Sequence, residues 1–313
     1  MATVIAEFCQ NHNGKKEILE QMILAAAEAG ADYAKIQTIF ADDLSFRPRF
    51  EDGGFQNGDM KIIKRPYTSE YDRLKKLEVP FEWYGWYIDT CKEAGIRPLT
   101  TVFNRSHIEK VSSYEWDSVK VASYDCASFP LLRDLKKYFK HIFVSTGSTY
   151  DNEIIEAVEV LEGTSFTLLH CVTIYPTPLD EVNLARLEFL KQFTPSVGFS
   201  DHTLVSKDTI KASVVALHLG ADVIERHFTL LAPEKTKDGP ISINKQQLTQ
   251  LCSLAHGSKN AVNAYIQEEI GDYTEMIGNK YRELSDTEIL NRDYYRGRFI
   301  NKVHGQKFTF NWE

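Results

Sequence analysis

The stretch AAAEAGADYAKIQT (residues 25–38) holds the fold in miniature. Ile18, Leu19, Met22, Ile23 and Ala26 fall on one helical face ahead of and into it, Gly30 supplies a left-handed stop, and YAKIQT is a short strand-like run. Helix, turn and strand follow one another within it. The same order recurs in PFEWYGWYIDTCKEAGIRPL (80–99) and SKDTIKASVVALHLGADVIERHF (206–228). Working outward, eight short runs rich in Val, Ile and Phe appear: 4–8, 33–38, 97–103, 118–122, 141–146, 166–172, 196–200 and 222–228. Eight strands alternating with helical segments in about 260 residues predict an α/β fold, a (β/α)8 TIM barrel. A doubly wound sheet would want a glycine-rich turn after the first strand, and QNHNGKK (10–16) holds one glycine.

The β/α rhythm stops near residue 260, so residues 1–260 are expected to form the barrel and 261–313 a C-terminal extension with one late strand pattern. Residues 41–80, long, polar and containing GGFQNGD, are expected to be a functional loop on the catalytic face. The chain has 313 residues, 43% hydrophobic and 26% charged, with a net charge of −8, which argues against nucleic acid as a partner of the whole surface. Five scattered cysteines with no C-x-x-C pair read as reduced thiols, neither a disulfide framework nor a zinc knuckle. MATVIAEFCQNHNG lacks the basic start and long apolar core of a signal peptide, and no run approaches the roughly 18 apolar residues of a membrane span. A cytoplasmic protein with no membrane partner is expected.

Catalytic groups of a barrel sit at the carboxyl ends of its strands. Glu7, Lys35, Gln37, Lys120, Ser123, Ser145, Thr146, His170, Tyr175, Ser200, Asp201, His202, Glu225 and His227 lie in or close such runs. Lys35 and Lys120 inside apolar strands need a fixed anion, because an unpaired ammonium in low dielectric is strongly disfavoured. A bound phosphate or carboxylate would serve; so would Glu7, Asp125 or Glu225. His202 and His227 end adjacent strands and can converge on one divalent metal, with Glu7, Asp125 or Asp238 supplying oxygen; the alternative is that each is a hydrogen-bonded structural residue. His12, His170 and His218 read as structural, and WYGWY (83–87) as a helix face packed on the barrel.

In order and spacing, IAEFCQNHNG (5–14), AGADYAKIQT (29–38), KVAS (120–123), VSTG (144–147), LLHCVTIYPTP (168–178), GFSDHT (198–203) and VIERHFTL (223–230) resemble the sialic acid synthase family, which condenses phosphoenolpyruvate with an amino sugar. The resemblance implies that Lys35, Lys120, Ser123, Ser145, Tyr175 and Ser200 hold phosphoenolpyruvate. It implies that His202 and His227 bind a divalent metal, manganese first, with magnesium or cobalt as alternatives. Glu7, Asp125 and His202 take catalytic roles on this reading, and Gln37 and Asp238 face the acceptor sugar. It also implies a homodimer and a 3-deoxy-2-ulosonic acid product for surface polysaccharide.

Three departures bear on the acceptor. Asp125 stands where the family usually has Glu, and Thr173 where Asn or Ser is usual. In the loop KTKDGPISI (235–243) Asp238 precedes Gly-Pro, and Ile241 holds the place of the usual Asp after it. The family's antifreeze-like domain is expected to be reduced to its linker, YYRGRFINKV (294–303), with Arg296 or Arg298 in place of the arginine that domain contributes. The rival enzyme reading is an octulosonate-synthase-like condensation with a phosphorylated aldose, for which Arg47, Arg49, Lys61, Lys64 and Arg65 are the basic cluster. The rival from another class is a catalytically silent barrel acting as a binding subunit.

Overall fold

Side chains alternate across a β-strand, so a strand closed into a barrel points every second residue at the axis. In the computed structural model, which describes residues 1–303 and 307–312 with the side chains of 302–303 and 307–310 left aside, eight parallel strands close this way. Residues 304–306 and 313 of the expected extension lie outside the described residues. The strands are β1 (Thr3–Glu7), β2 (Tyr33–Thr38), β3 (Arg97–Val102), β4 (Ser118–Val121), β5 (His141–Ser145), β6 (Ser165–Cys171), β7 (Val197–Asp201) and β8 (Val223–His227). Each pairs with its sequence neighbours, and β8 pairs with β1 to close the ring.

Three inward tiers result. Ile5, Tyr33, Leu99, Phe143, Leu169 and Val223 form a buried apolar plug. Two residues on, about 6.6 Å higher, Glu7, Lys35, Thr101, Lys120, Ser145, Cys171, Ser200 and Glu225 form a polar layer. Cys9, Gln37, Phe103, Ala122, His202 and His227 rim the mouth above it. Between β7 and β8 a side chain cannot fit at Gly198: a Cβ there would stand 2.4 Å from the Val223 carbonyl oxygen.

The outward residues bury against the helices. Leu19, Met22, Ile23 and Ala26 of the helix Lys16–Glu28 join Val4, Ala6, Ala34 and Ile36 in the main core, each large side chain contributing about 1.5–3 kcal/mol. Gly30, at φ 89°, ends that helix as the sequence predicts. Asp201 and Arg226, also outward, form an ion pair with no solvent exposure, and Ser213 donates to Asp201 at 2.6 Å. This pair ties β7 to β8 behind the two histidines.

Residues 41–80 are more ordered than a long loop. They hold a hairpin, Gly54–Gln56 with Asp59–Ile62, and a helix Tyr67–Lys75. The segment after residue 285 lies across the barrel mouth. Its helix Asp286–Tyr295 starts in a capping box made by Ser285 and Glu288. Asn291 donates to the Thr173 carbonyl at 2.8 Å, Arg292 to the Ser148 carbonyl at 2.5 Å, and Arg47 grips the Tyr294 carbonyl at 2.6 Å. A hairpin, Ile300–Val303 with Lys307–Phe310, follows. Among the described residues, no helix is long and apolar enough to cross a membrane.

Candidate active site at the barrel mouth

Barrel closure decides which charges meet. The β1–β2 and β8–β1 registers pair Glu7 with Lys35 on one side and His227 on the other. Lys35 Nζ consequently lies 2.5 Å from Glu7 and 2.8 Å from Glu225. Lys120 Nζ stands 3.7 Å from the same Glu225 oxygen and donates to Ser145 Oγ at 2.6 Å, while Ser200 donates to Glu225 at 2.8 Å. Glu225 is the hub of the layer. Burial alone would push its carboxyl up, but the Lys120 and Lys35 ammonium groups hold it well below the usual carboxylate range. Burial pulls Lys35 down to about 7, with the like charge of Lys120 adding to the fall and Glu225 opposing it. The intramolecular partners foreseen for the lysines are thus present, and the layer holds its cations against the cavity.

The opposite wall carries soft and neutral donors. The rings of His202 and His227 stand 5.2 Å apart, and burial lowers both imidazoles below their ordinary value, His227 to about 4. Neutral imidazole is the ligating form. His227 Nδ1 is buried with no hydrogen-bond partner. One donor atom each from Cys9, His227 and Asp238 lies within 4.8 Å of the others. Two neutral imidazoles with a carboxylate and a thiol beside one of them suit a divalent metal.

A third group forms the rim. Gln37 donates to Glu7 at 3.3 Å. Arg65 and Lys237 reach the cavity from the loops, Arg73 from the helix Tyr67–Lys75, and Arg298 from the segment over the mouth. Arg73 is paired with Glu70 at 2.6 Å. Arg298 is 8% exposed, stacks on Tyr295 and Phe299 at 4.8 and 4.3 Å, and has no carboxylate at ion-pair distance among the described residues.

One cavity of about 390 Å³ gathers Glu7, Lys35, Gln37, Lys120, Ser123, Ser145, Tyr175, Ser200, His202, His227 and Asp238. Tyr175 is 44% exposed at its mouth and packs edge-on against His202, ring centroids 4.6 Å apart. Asp125 is not brought into this cavity. The short turn Ser123–Asp125 directs it into a small side pocket, where Asn311 donates to it at 3.3 Å and burial pushes its carboxyl up to about 7. Of the basic cluster in 41–80, Arg65 alone lines the cavity; Arg47 holds the covering segment and Arg49 pairs with Asp293. Of the two candidate arginines, Arg298 lines the cavity, whereas Arg296 pairs with Glu153 at 3.0 Å and stacks on Trp312. His12, His170 and His218 all have internal hydrogen-bond partners, and Tyr84 and Tyr87 of WYGWY are fully buried against the barrel.

Cys9, Arg73 and Lys237 belong to the cavity without having been singled out from the sequence. For Cys9 the available signal was position: it lies two residues past the end of β1, where barrel chemistry collects. Spacing between cysteines was the wrong measure for it.

The sequence profile of the NeuB family matches residues 22–267. An uncharacterized protein of Methanocaldococcus jannaschii, MJ1065, is 35% identical over 241 residues, which are 76% of this chain and 64% of that protein. The chain thus spans just under two thirds of that relative's length. N,N'-diacetyllegionaminic acid synthase of Campylobacter jejuni is 33% identical over 267 residues, covering 80% of this chain and 74% of its own. Among solved structures, the spore coat polysaccharide biosynthesis protein SpsE of Bacillus subtilis superposes with a TM-score of 0.72 at 27% identity, over 94% of this chain and 77% of that one.

Proposed function

The chain belongs to the NeuB family, and on that premise we propose that it is a cytoplasmic synthase condensing phosphoenolpyruvate with an aldose to give a 3-deoxy-2-ulosonic acid and phosphate. The observation that carries the reading is the polar layer: two lysines and two serines, Lys35, Lys120, Ser145 and Ser200, converge in one buried ring beneath a cavity walled by two neutral histidines. That is a seat for a small polyanion beside a seat for a metal.

Lys120 with Ser145, and Lys35 with Ser200 through Glu225, hold the phosphate and carboxylate of the donor and balance charge as it develops at C2. Ser123 and Tyr175 close the donor side. His202 and His227 hold a divalent metal, manganese on the family resemblance, which when bound supplies Lewis acidity toward the acceptor carbonyl. Glu7, oriented by Gln37 and by the Cys9 backbone amide at 2.6 Å, faces the acceptor as proton acceptor. In balance, C3 of the donor bonds to the aldehyde carbon, water adds at C2, and phosphate leaves by C–O cleavage. Asp125, outside the cavity, acts on this reading by positioning Asn311 and the covering segment. The five buried free thiols suit a reducing compartment, and a surface polysaccharide is the destination that the resemblance implies.

The rim favours a second statement about the acceptor. Arg298, Arg65 and Lys237 put positive charge where the sugar must enter, which supports an anionic or phosphorylated aldose. Replacing Arg298 by Ala is expected to raise the acceptor KM about 10- to 100-fold, the range of one charge-assisted hydrogen bond, with phosphoenolpyruvate affinity unchanged. An unchanged acceptor KM refutes it.

The test of the reaction is phosphate release from phosphoenolpyruvate with Mn2+, across N-acetylmannosamine, other amino sugars, neutral aldoses and their phosphates. Release with one acceptor, lost in His202→Ala, is expected. A folded protein that binds neither metal nor phosphoenolpyruvate overturns the enzyme reading in favour of a silent barrel.

A further inference from the structure

We propose that the metal seat includes Cys9 and Asp238, so that a thiolate, an imidazole and a carboxylate are joined on one ion beside His202. The inference rests on the metal-dependent reading above and goes beyond its two histidines. Cys9 Sγ donates to Asp238 Oδ2 at 2.8 Å, and the three donor atoms of Cys9, His227 and Asp238 lie within 4.8 Å of one another. Metal–ligand bonds of about 2.0–2.3 Å at tetrahedral angles separate ligand atoms by about 3.3–3.8 Å. Closing the widest gap and opening the thiol–carboxylate contact, each by about 1 Å, therefore suffices to form the site.

Independent features agree on the placement. His227 is 8% exposed, and its Nδ1 has no hydrogen-bond partner. A buried polar atom left unpaired is costly unless something meets it. Cys9 adopts φ 46°, the left-handed region that a residue with a Cβ rarely takes, and Glu7 holds it there by accepting from its amide at 2.6 Å. Backbone strain of this kind clusters at active sites and ligand clamps. The Asp238 side is just as fixed. A Cβ on Gly239 would stand 1.9 Å from the Pro233 carbonyl oxygen, and Ser242 donates to the Asp238 carbonyl at 2.6 Å, so the loop presents Asp238 in one place.

The chemistry balances simply. The thiol, whose pKa is pushed well up by burial and by Asp238, gives its proton to solvent as the ion takes the sulfur, and no electron moves. A sulfur ligand biases the site toward Fe2+, Co2+ and Zn2+ and away from Mg2+.

The experiment is titration of the chelator-stripped full chain with Co2+, read by absorption. Visible d–d bands report binding of any kind; a near-ultraviolet thiolate-to-cobalt band reports sulfur. The wild type is expected to show both. Cys9→Ser is expected to lose the near-ultraviolet band and bind Co2+ at least about tenfold more weakly, while keeping d–d bands and an unchanged circular dichroism spectrum. Cys171, whose Sγ lies 3.7 Å from His202 Nδ1, is the competing thiol, and Cys171→Ser is expected to keep the band. Visible bands without the sulfur band in the wild type, or a sulfur band that survives Cys9→Ser, overturn the proposal while leaving a histidine-bound metal. Absence of any Co2+ binding overturns the metal reading as well.

Discussion

Glu225→Gln tests the polar layer at its hub. The substitution keeps the shape and leaves Ser200 an acceptor, but it removes the carboxylate shared by Lys35 at 2.8 Å and Lys120 at 3.7 Å. Glu7 then faces two ammonium groups alone. Removing one partner of a buried pair costs about 3–5 kcal/mol, because a buried charge is left uncompensated. For 313 residues the unfolding entropy at about 2.1 cal/mol/K per residue gives about 0.66 kcal/mol per degree, so the melting temperature should fall by about 5–8 °C. The fall should be larger at pH 6 than at pH 9, since Lys35, already near 7, sheds its proton at the higher pH. An added anion takes the place of the missing carboxylate. Phosphoenolpyruvate or inorganic phosphate should therefore raise the variant's melting temperature more than the wild type's, by mass action. The assay is thermal unfolding at fixed scan rate, with and without each anion. A fall under about 2 °C, or equal anion shifts in the two proteins, refutes the assignment of this layer as an anion seat.

Two pH dependences follow from the same burial. On the proposed function phosphoenolpyruvate would bind the protonated form of Lys35, whose folded value lies near 7, so its affinity should fall above pH 7, at most about tenfold per unit; isothermal titration between pH 6.5 and 9 checks this, and a flat profile counts against Lys35 as a donor contact. Asp125 shifts the other way: its carboxyl is raised to about 7, so its contribution to stability is present at acidic pH and lost as pH rises through 7. Asp125→Asn should stabilise the protein progressively from pH 5 to pH 8 in thermal melts, and a gain largest at pH 5 contradicts the sign.

Much of the fold was legible because its signals are local. The expected run 4–8 is Thr3–Glu7, 97–103 is Arg97–Val102, and 118–122 is Ser118–Val121. Period-two apolar runs and glycine stops need no knowledge of distant partners. The hairpin inside 41–80 had such a signal too. Asn57 and Gly58, at φ 53° and 89°, form the two-residue turn that Asn-Gly favours, yet its polar surroundings read as loop. Glu225 was legible as one carboxylate that could meet the lysines; that it would bridge both was not, because Lys35 and Lys120 come from β2 and β4 and meet it only across the closed barrel. The placement of Asp125 beside the cavity and not in it was not legible for a related reason. Strand periodicity ends at β4, and the direction of the turn after it is set by packing against Asn311, 186 residues away.

The walls of the cavity have different origins. Lys35, Lys120, Ser145, Ser200 and Glu225 sit on strands locked by hydrogen bonds to both neighbours, so none can shift without disturbing the whole ring. Arg65 and Arg73 come from an insertion between two strands, and Asn291, Tyr295 and Arg298 from a segment laid over the top. Exchange of those two pieces by grafting leaves the hydrogen-bonded cylinder untouched. The barrel is in this sense a chassis, and the shape and charge of the entrance a fitting bolted onto it. What the cavity admits can change along a route that leaves its floor intact.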